Sequence, residues 1–215
     1  MFLQILMAVL AAGVQPSGGD AAAGSGFDRP ALLALAPEDR RAALAAADRH
    51  ILVVRHARKI SSDCNGMDCP LSPLGEAMVV RLGEILGPDP VDRAYASAAC
   101  RTRLTAAAGQ ADVVTYQALD GYSQSCQPDE IVESRRASAF TEAREGALRW
   151  TLAAEHSNTS CMWIEAFAGP AAAGEAGCSE GRLPDTAYGD IYWLYRTGES
   201  WELVVLPGAF ELAEE

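Results

Sequence analysis

The sequence predicts a three-layer α/β/α sandwich with a mostly parallel central sheet and a C-terminal antiparallel hairpin. Short apolar runs alternate with helical stretches along the chain, as they do when helices cover both faces of a parallel sheet. The first of these runs, residues 51–54, consists of four consecutive apolar residues and is typical of a strand buried on both faces. Near the C-terminus, two apolar runs flank residues 197–200, and this arrangement predicts the hairpin.

The other elements follow from local composition and capping residues. Residues 30–49 are rich in Ala and Leu and predict one or two short helices. Ser72 and Pro73 suit an N-cap and a first helical position, so we expect a helix over Pro73–Leu86. The later segments are predicted as strands at 93–97, 113–116, 150–154, 190–195 and 201–206, helices at 98–107 and 129–144, and loops at 120–128 and 169–184.

The composition is that of an ordinary globular protein, and it limits the classes of partner. Of 215 residues, 49% are hydrophobic and 21% are charged, which suits a single folded domain over residues 27–215. The formal net charge of −12 argues against a nucleic-acid partner or an acidic-membrane binding surface. Any anion-binding site must therefore be a local concentration of positive charge.

The N-terminal residues predict an export signal. Residues 1–14 form an apolar run too short to span a bilayer comfortably, and a tract rich in Gly, Ser and Pro follows it. Together they are typical of a signal peptide and flexible leader over residues 1–26, although a basic n-region is missing. We therefore expect an exported protein, periplasmic or secreted, without stable membrane insertion once the signal is removed. A disordered N-terminal tail is the alternative.

Six cysteines, an even number, predict disulfide bonds in an exported protein. The easiest local pair is Cys64 with Cys69, because Asn65 and Gly66 can form the apex of a small loop between them. Cys100 is interpreted as a small core residue. No C-x-x-C spacing is present, which argues against a zinc ribbon or a thioredoxin-like dithiol. A redox function would require free reactive cysteine pairs.

Arginine and histidine side chains follow three of the predicted strands. Arg55 and His56 come directly after the first strand. Arg101 lies just beyond the second strand, and His156 follows a later one. Because ligands bind beyond the carboxyl ends of the strands in an open α/β sheet, we expect these side chains to converge on a phosphate-sized anion. The third histidine, His50, precedes the first strand and is interpreted as a structural or surface residue.

Four segments, in order, resemble motifs of the histidine phosphatase superfamily, also called phosphoglycerate mutase-like, and in particular its small bacterial Arg-His-Ala subgroup. That family has a hydrophobic strand followed by Arg-His-Gly or Arg-His-Ala, a helix start of the form L-[ST]-x-x-G, a Y-x-S-x-x-x-R-x-x-x-T-A segment, and a second histidine motif. The matching segments are residues 52–59 (LVVRHARK), 70–75 (PLSPLG), 95–106 (YASAACRTRLTA) and 156–159 (HSNT).

The resemblance implies a phosphomonoester hydrolase, similar to the histidine acid phosphatases, that needs no metal or other cofactor. His56 would be the nucleophile and would form a phosphohistidine. The side chains of Arg55, Arg101 and His156 would surround the phosphoryl oxygens and neutralise their charge. Two further cations follow His56: Lys59 would stand at the rim of the substrate site, and Arg58, at a position where the family often has glutamate, would attract an anionic substrate or face solvent.

The proton donor for the leaving group stays open at this point. Ser157 follows His156 where some family members have aspartate, and the acids of the central region are Asp129, Glu130 and Glu133. Glu155 replaces the small residue usual before the second histidine, and it would lie in the substrate site as the acid, raise the pKa of His156, or repel phosphate.

Two functions are therefore compatible with the sequence. The first is hydrolysis of a small phosphorylated substrate, such as a phosphosugar or phosphopeptide, since the short central insertion argues against a phytase or a glycolytic mutase. The alternative is a catalytically weak or inactive phospho-ligand binding protein with the same fold, motivated by Glu155 and the unassigned acid. The oligomeric state is left open.

Overall fold

A computed structural model describes residues 27–116, 126, 130–132 and 136–213. Within this part of the chain, seven strands form one sheet in the order β4-β3-β2-β5-β1-β6-β7. The strands are β1 (Arg49–Arg55), β2 (Arg93–Ala96), β3 (Val113–Tyr116), β4 (Glu130–Val132), β5 (Trp150–Glu155), β6 (Ile191–Thr197) and β7 (Ser200–Leu206). The helices are α1 (Pro30–Leu35), α2 (Glu38–Ala46), α3 (Pro73–Leu86), α4 (Cys100–Ala106), α5 (Arg136–Glu145) and α6 (Ser157–Glu175), and a single 3₁₀ turn, Ala107–Gly109, follows α4.

The strand directions confirm the predicted fold class. Strands β1 to β5 run parallel to one another through the pairs β1–β5, β2–β5, β2–β3 and β3–β4. Strand β6 is antiparallel to β1, and β7 is antiparallel to β6, which is the predicted C-terminal hairpin. Strand β1 is internal to this sheet, so both its edges are hydrogen-bonded. Its carboxyl end lies at the same edge of the sheet as the carboxyl ends of the other parallel strands, where ligands bind in such folds.

The alternation of side chains along β1 explains its continuous apolar run. Leu52 and Val54 belong to a core that includes Met78 of α3, on the side covered by α1, α2 and α3. Ile51 and Val53 belong to a second core that includes Trp163 of α6, on the side covered by α5 and α6. Successive residues of a strand point to opposite faces, so a strand between two helical layers has to be apolar at every position.

The start of α3 shows why the sequence L-S-P-L-G is needed. Ser72 Oγ accepts a hydrogen bond from the Gly75 N–H at 3.0 Å, as an N-cap does. The Ser72 N–H donates to the Arg58 carbonyl oxygen at 2.9 Å, and a Cβ on Gly75 would lie 2.0 Å from the same oxygen. Glycine therefore permits the close approach that joins α3 to the segment following β1.

Two of the predicted elements are wrong in part. Residues 129–144 were expected to be one helix, but Glu130–Val132 pairs with β3 as strand β4 and the helix begins at Arg136. Ile131 and Val132 are β-branched and favour the strand. The predicted loop at 169–184 is helical as far as Glu175, with a kink at Gly169, whose φ is 85°, and Pro170 in the first turn after the kink.

The remaining predictions are accurate to within a few residues or lie outside the described part. Strand 93–97 ends at Ala96, and the helix expected from residue 98 begins at Cys100. The loop predicted at 120–128 lies outside the described residues except for Cys126, as do residues 1–26. Among the described helices, none combines the length and the apolar character that crossing a membrane requires.

His50 has a structural role inside the protein and is not a surface residue. The Trp193 Nε1–H donates to His50 Nδ1 at 3.1 Å, and the imidazole stacks on Trp150 with ring centroids 4.0 Å apart. The residue is only 1% exposed. This histidine therefore packs under the amino end of β1, away from the carboxyl end that carries His56.

Candidate active site

His56 follows directly after β1, and its imidazole is held in one tautomer. Nδ1 lies 2.8 Å from the carbonyl oxygen of Ala57. Because a carbonyl oxygen can only accept, Nδ1 carries the hydrogen and Nε2 keeps its lone pair. The backbone is fixed as well: the His56 N–H donates to the Glu155 carbonyl oxygen at 2.8 Å, and the Ala57 N–H donates to Thr105 Oγ1 at 3.0 Å. The result is a buried, oriented imidazole whose Nε2 carries the lone pair.

Arg101, in the first turn of α4, faces that nitrogen. Its Nε donates a hydrogen bond to His56 Nε2 at 3.3 Å, and its Nη1 donates to the Gly66 carbonyl oxygen at 2.8 Å. Thr105 Oγ1 donates to the Arg101 carbonyl oxygen at 2.8 Å, so one threonine ties α4 to the segment after His56. In the Y-x-S-x-x-x-R-x-x-x-T-A pattern, the arginine thus contacts the His56 ring, and the threonine binds the backbone N–H of the next residue, Ala57.

His156 and Arg55 complete the group. The imidazole of His156, at the N-cap of α6, lies with its centroid 5.4 Å from that of His56 and nearly perpendicular to it. Arg55 donates from Nη1 to the Pro184 carbonyl oxygen at 3.0 Å and from Nη2 to Tyr188 Oη at 3.2 Å. The four side chains predicted to converge at the carboxyl ends of β1, β2 and β5 are therefore brought together.

The two cations after His56 have different surroundings. Lys59 donates from Nζ to Asn65 Oδ1 at 2.5 Å and to the Ser62 carbonyl oxygen at 2.8 Å. Arg58 forms an ion pair with Glu211, with Nη2 2.5 Å from Oε1, and its guanidinium lies over the Tyr188 ring. Arg58 is thus neither a free cation nor a fully solvated one, and Glu211 offsets its charge.

Glu155 does not lie among the cations that face His56. Its carboxylate is fully buried and accepts hydrogen bonds from Arg136 Nε at 3.0 Å and Trp163 Nε1 at 2.9 Å. Thr159 Oγ1 donates to it at 2.7 Å, and Ser97 Oγ also donates to it. Four residues thus donate hydrogen bonds to the buried carboxylate, and the Arg136 guanidinium balances its charge.

Burial and neighbouring cations keep both site histidines neutral. Desolvation lowers the pKa of His56 to about 3; the hydrogen bond to the Ala57 carbonyl opposes this shift, and the Arg101 and Arg55 charges add to it. Desolvation and the charge of Arg101 lower the pKa of His156 to about 4, although Glu155 opposes this shift. The pKa of Lys59 is also lowered, by its partial burial and then by Arg101 and Arg55. The site therefore combines fixed positive charge with unprotonated imidazoles.

These shifts predict that no histidine of the folded protein titrates near neutral pH. Desolvation also lowers the pKa of His50 to about 4, so all three depart downward from 6.5. Histidine Cε1–H resonances in ¹H–¹³C spectra should stay constant from pH 8 to about pH 5 and move in the urea-unfolded protein near pH 6.5. Because the unfolded chain binds protons first, stability should fall as pH drops from about 6.5 towards 4. A native resonance with a midpoint near 6.5 would contradict this expectation.

Three disulfides connect the six cysteines. They join Cys64 to Cys69, Cys100 to Cys126 and Cys161 to Cys178. The first is the predicted local pair. The interpretation of Cys100 as a simple core residue is wrong, because Cys126, 26 positions later, folds back onto the start of α4. Three disulfides are typical of proteins that fold in an oxidising compartment.

Several residues that contact the site carry no recognisable sequence signal. The Tyr188 ring packs against His56, with ring centroids 5.8 Å apart. It also packs against Arg55, whose guanidinium carbon lies 4.0 Å from the centroid of the tyrosine ring. The exposed Asp185 carboxylate lies 3.5 Å from Arg55 Nη2. Gly66 contributes only a backbone oxygen, which no pattern of side chains could reveal. In the described part of the chain, no three His, Cys, Asp or Glu residues are grouped as a metal site would require.

Comparison with known proteins agrees with this geometry. Residues 51–121 match the model of the family described as histidine phosphatase superfamily (branch 1). The predicted resemblance to that superfamily is confirmed over this segment, which contains Arg55, His56 and Arg101. No curated protein sequence matches the chain.

Two solved structures are similar to this chain over most of their length. One is the product of open reading frame Rv3214 of Mycobacterium tuberculosis, with 20% identity, 74% of this chain and 97% of that chain covered, and a TM-score of 0.50. The other is a candidate alpha-ribazole-5'-P phosphatase from Escherichia coli, with 14% identity, coverage of 77% and 99%, and a TM-score of 0.50. At these identities the likeness concerns the fold alone.

Proposed function

We propose that this protein hydrolyses phosphomonoesters through a phosphohistidine on His56. The observation that carries the proposal is the His56 imidazole, whose Nδ1–H is bound to the Ala57 carbonyl while Nε2 faces the Arg101 guanidinium. A neutral imidazole in a fixed tautomer is a competent nucleophile. Guanidinium groups beside it suit the oxygens of a phosphoryl group.

The reaction balances in two steps. In the first, the Nε2 lone pair of His56 attacks phosphorus, the bond from phosphorus to the leaving oxygen breaks, and a carboxylic acid of the central region gives its proton to that oxygen. In the second, water attacks the phosphorus and gives a proton to the resulting carboxylate, the phosphorus–nitrogen bond breaks, and phosphate leaves while the imidazole is restored. Arg55, Arg101 and His156 stabilise the charge that spreads over the phosphoryl oxygens in both transition states.

Glu155 is an unsuitable proton donor for the leaving group. Its carboxylate is fully buried and already accepts from Arg136, Thr159 and Trp163. We therefore assign Glu155 a structural role in place of the substrate-binding role predicted from its position. The acids of the central region, Asp129, Glu130 and Glu133, remain the predicted donors, and their side chains lie outside the described residues.

The alternative, a catalytically weak phospho-ligand binding protein, loses one of its two arguments. It assumed that the charge of Glu155 repels a phosphate beside His156. The Arg136 guanidinium compensates this charge, with Nε and Nη2 at 3.0 and 3.3 Å from the carboxylate oxygens. The unassigned proton donor is the argument that remains for it.

A small phosphorylated molecule is the substrate class that the surroundings of the site support. A cavity of about 960 Å³ is lined in part by Lys59, Leu74 and Tyr188, and the Tyr188 ring connects it to the site by packing against His56. Pockets of this size and mainly apolar lining suit a small organic ligand. We infer that the alcohol portion of the substrate occupies part of this cavity while Lys59 faces the anionic end.

The three disulfides support an exported location, periplasmic or secreted, with residues 1–26 acting as signal peptide and leader. Assays therefore have to be run on the oxidised protein. Reducing agents should be left out of purification buffers, so that a negative result reflects the chemistry rather than an opened disulfide.

The test is to trap the covalent intermediate. Oxidised protein should turn over p-nitrophenyl phosphate between pH 5 and 7 in the presence of EDTA. With ³²P-labelled substrate and an alkaline detergent quench, label should appear on the peptide that contains His56 and disappear after acid treatment, as a phosphorus–nitrogen bond requires. The proposal fails if no turnover exceeds that of buffer alone, or if the label is on another residue.

A further inference from the structure

Arg101 is oriented by a small loop that a disulfide closes. We call residues 64–69 the Cys64–Cys69 loop; the Cα atoms of its two cysteines are 5.6 Å apart. The Gly66 carbonyl oxygen of this loop accepts from Arg101 Nη1 at 2.8 Å, while Arg101 Nε faces His56 Nε2. The carbonyl therefore fixes the rotation of the guanidinium plane relative to the nucleophile.

The same loop makes two more contacts with the site. The N–H of Cys100, the residue before Arg101, donates to the Met67 carbonyl oxygen at 2.8 Å. Lys59 Nζ donates to Asn65 Oδ1 at 2.5 Å. Two cations that face the substrate are thus anchored by one six-residue segment, and the anchors are polar contacts rather than packed apolar side chains.

The disulfide is the covalent link across this loop, whose other supports are polar contacts and the β-bridge between Lys59 and Leu71 at its base. Of its residues only Cys69 is buried, and the segment contains neither helix nor strand. Its internal backbone hydrogen bond, from the Cys69 N–H to the Gly66 carbonyl oxygen, is 3.2 Å long and shares its acceptor with Arg101. A short, mostly exposed segment gains conformational freedom once its cross-link is removed.

We propose that the Cys64–Cys69 disulfide is a positioning element of the anion site, which holds Arg101 against His56 through the Gly66 carbonyl. This inference rests on the proposed function, because it assumes that Arg101 faces a phosphoryl group. The disulfide itself touches no substrate. Its effect on catalysis passes chiefly through Arg101, which contacts the nucleophile, and only to a small extent through Lys59. Removing Arg101 should therefore remove most of that effect.

A double-mutant cycle tests this dependence. The Cys64→Ser/Cys69→Ser variant should have a kcat/KM for p-nitrophenyl phosphate about tenfold below wild type, and inorganic phosphate should bind about tenfold more weakly by calorimetry. In an Arg101→Ala background, the same two substitutions should change both quantities by less than about twofold. A fall in kcat/KM that is equally large with and without Arg101 would mean a general loss of structure and would overturn the proposal.

The matched control removes a disulfide that does not contact Arg101. Cys161→Ser/Cys178→Ser opens the bridge between α6 and the segment after it. Its effect on kcat/KM and on phosphate affinity should be the same in the wild-type and Arg101→Ala backgrounds. Coupling to Arg101 as strong as that of the Cys64–Cys69 pair would contradict a specific role for this loop.

A measurement on the wild-type chain covers the case in which the serine variant does not fold. Folded protein is titrated with a phosphine reductant, alkylated, and mapped by peptide mass spectrometry beside the assay. Phosphate affinity should weaken in proportion to the opened fraction of the Cys64–Cys69 pair, and unchanged affinity with this pair open overturns the inference. Wild type that binds phosphate without turnover refutes only the hydrolase proposal, whereas wild type that does not bind phosphate refutes both.

Discussion

The His56→Ala variant is expected to lower kcat for p-nitrophenyl phosphate by about 10⁵-fold, to the level of buffer alone. Nε2 is the atom that would accept the phosphoryl group, and the Nδ1–H donates a hydrogen bond to the Ala57 carbonyl oxygen 2.8 Å away. Alanine removes both nitrogens and leaves no neighbouring group in the same position. Inorganic phosphate should still bind within about tenfold of wild type, because Arg55 and Arg101 remain.

A second histidine supplies the control for this variant. His50 accepts from Trp193 under the amino end of β1, and an asparagine oxygen can accept the same hydrogen bond. His50→Asn should therefore keep kcat within about threefold of wild type while lowering the melting temperature. Residual activity above about 1% in the His56→Ala variant, with phosphate binding intact, would place the nucleophile elsewhere.

The Glu155→Ala variant should lose about 4 kcal/mol of unfolding free energy, measured by urea denaturation at pH 7. The carboxylate is fully buried, and its partner Arg136 is only 18% exposed at the side chain. Removing the carboxylate leaves a largely buried guanidinium unpaired, together with the Thr159 hydroxyl and the Trp163 N–H that donated to it. Breaking one side of a buried pair costs far more than the pair contributes as a whole.

Two further variants show whether the loss of stability in Glu155→Ala comes from leaving a buried charge unpaired rather than from losing an ion pair as such. Glu84→Ala breaks an exposed pair with Arg81 on α3 and should cost less than about 1 kcal/mol. Glu155→Leu combined with Arg136→Met removes both charges and should recover most of the stability lost by Glu155→Ala. A Glu155→Ala protein within about 1 kcal/mol of wild type would show that the carboxylate is not needed to compensate Arg136.

The elements that local sequence specifies were predicted with good boundaries. Ser72 and Pro73 marked the start of α3, and the structure has the cap and the first helical residue where they were expected. The parallel strands were found because a strand buried on both faces is apolar at every position, as at residues 51–54. The two errors, at Glu130–Val132 and after Gly169, lie where local sequence does not favour one secondary structure clearly. At the first, pairing with β3 selects a strand, and at the second, packing of α6 selects a helix.

The contacts made by Arg58, Cys100 and Glu155 could not be predicted from local sequence. Each depends on a partner distant in sequence: Glu211 for Arg58, Cys126 for Cys100, and Arg136 for Glu155. A charged side chain beside a motif has the same local pattern whether it faces a ligand or a buried counter-ion. Only the tertiary contact distinguishes the two cases.

The sequence by itself determined which side chains follow the carboxyl ends of the strands, because chain order and strand direction alone bring Arg55, His56, Arg101 and His156 to one edge of a parallel sheet. The tertiary structure decided the rest: the tautomer of His56, the burial that keeps both imidazoles neutral, and the Gly66 carbonyl that orients Arg101. These properties depend on distances between segments far apart in the chain, and on the water that packing excludes. Neither quantity is encoded in a local pattern of residues.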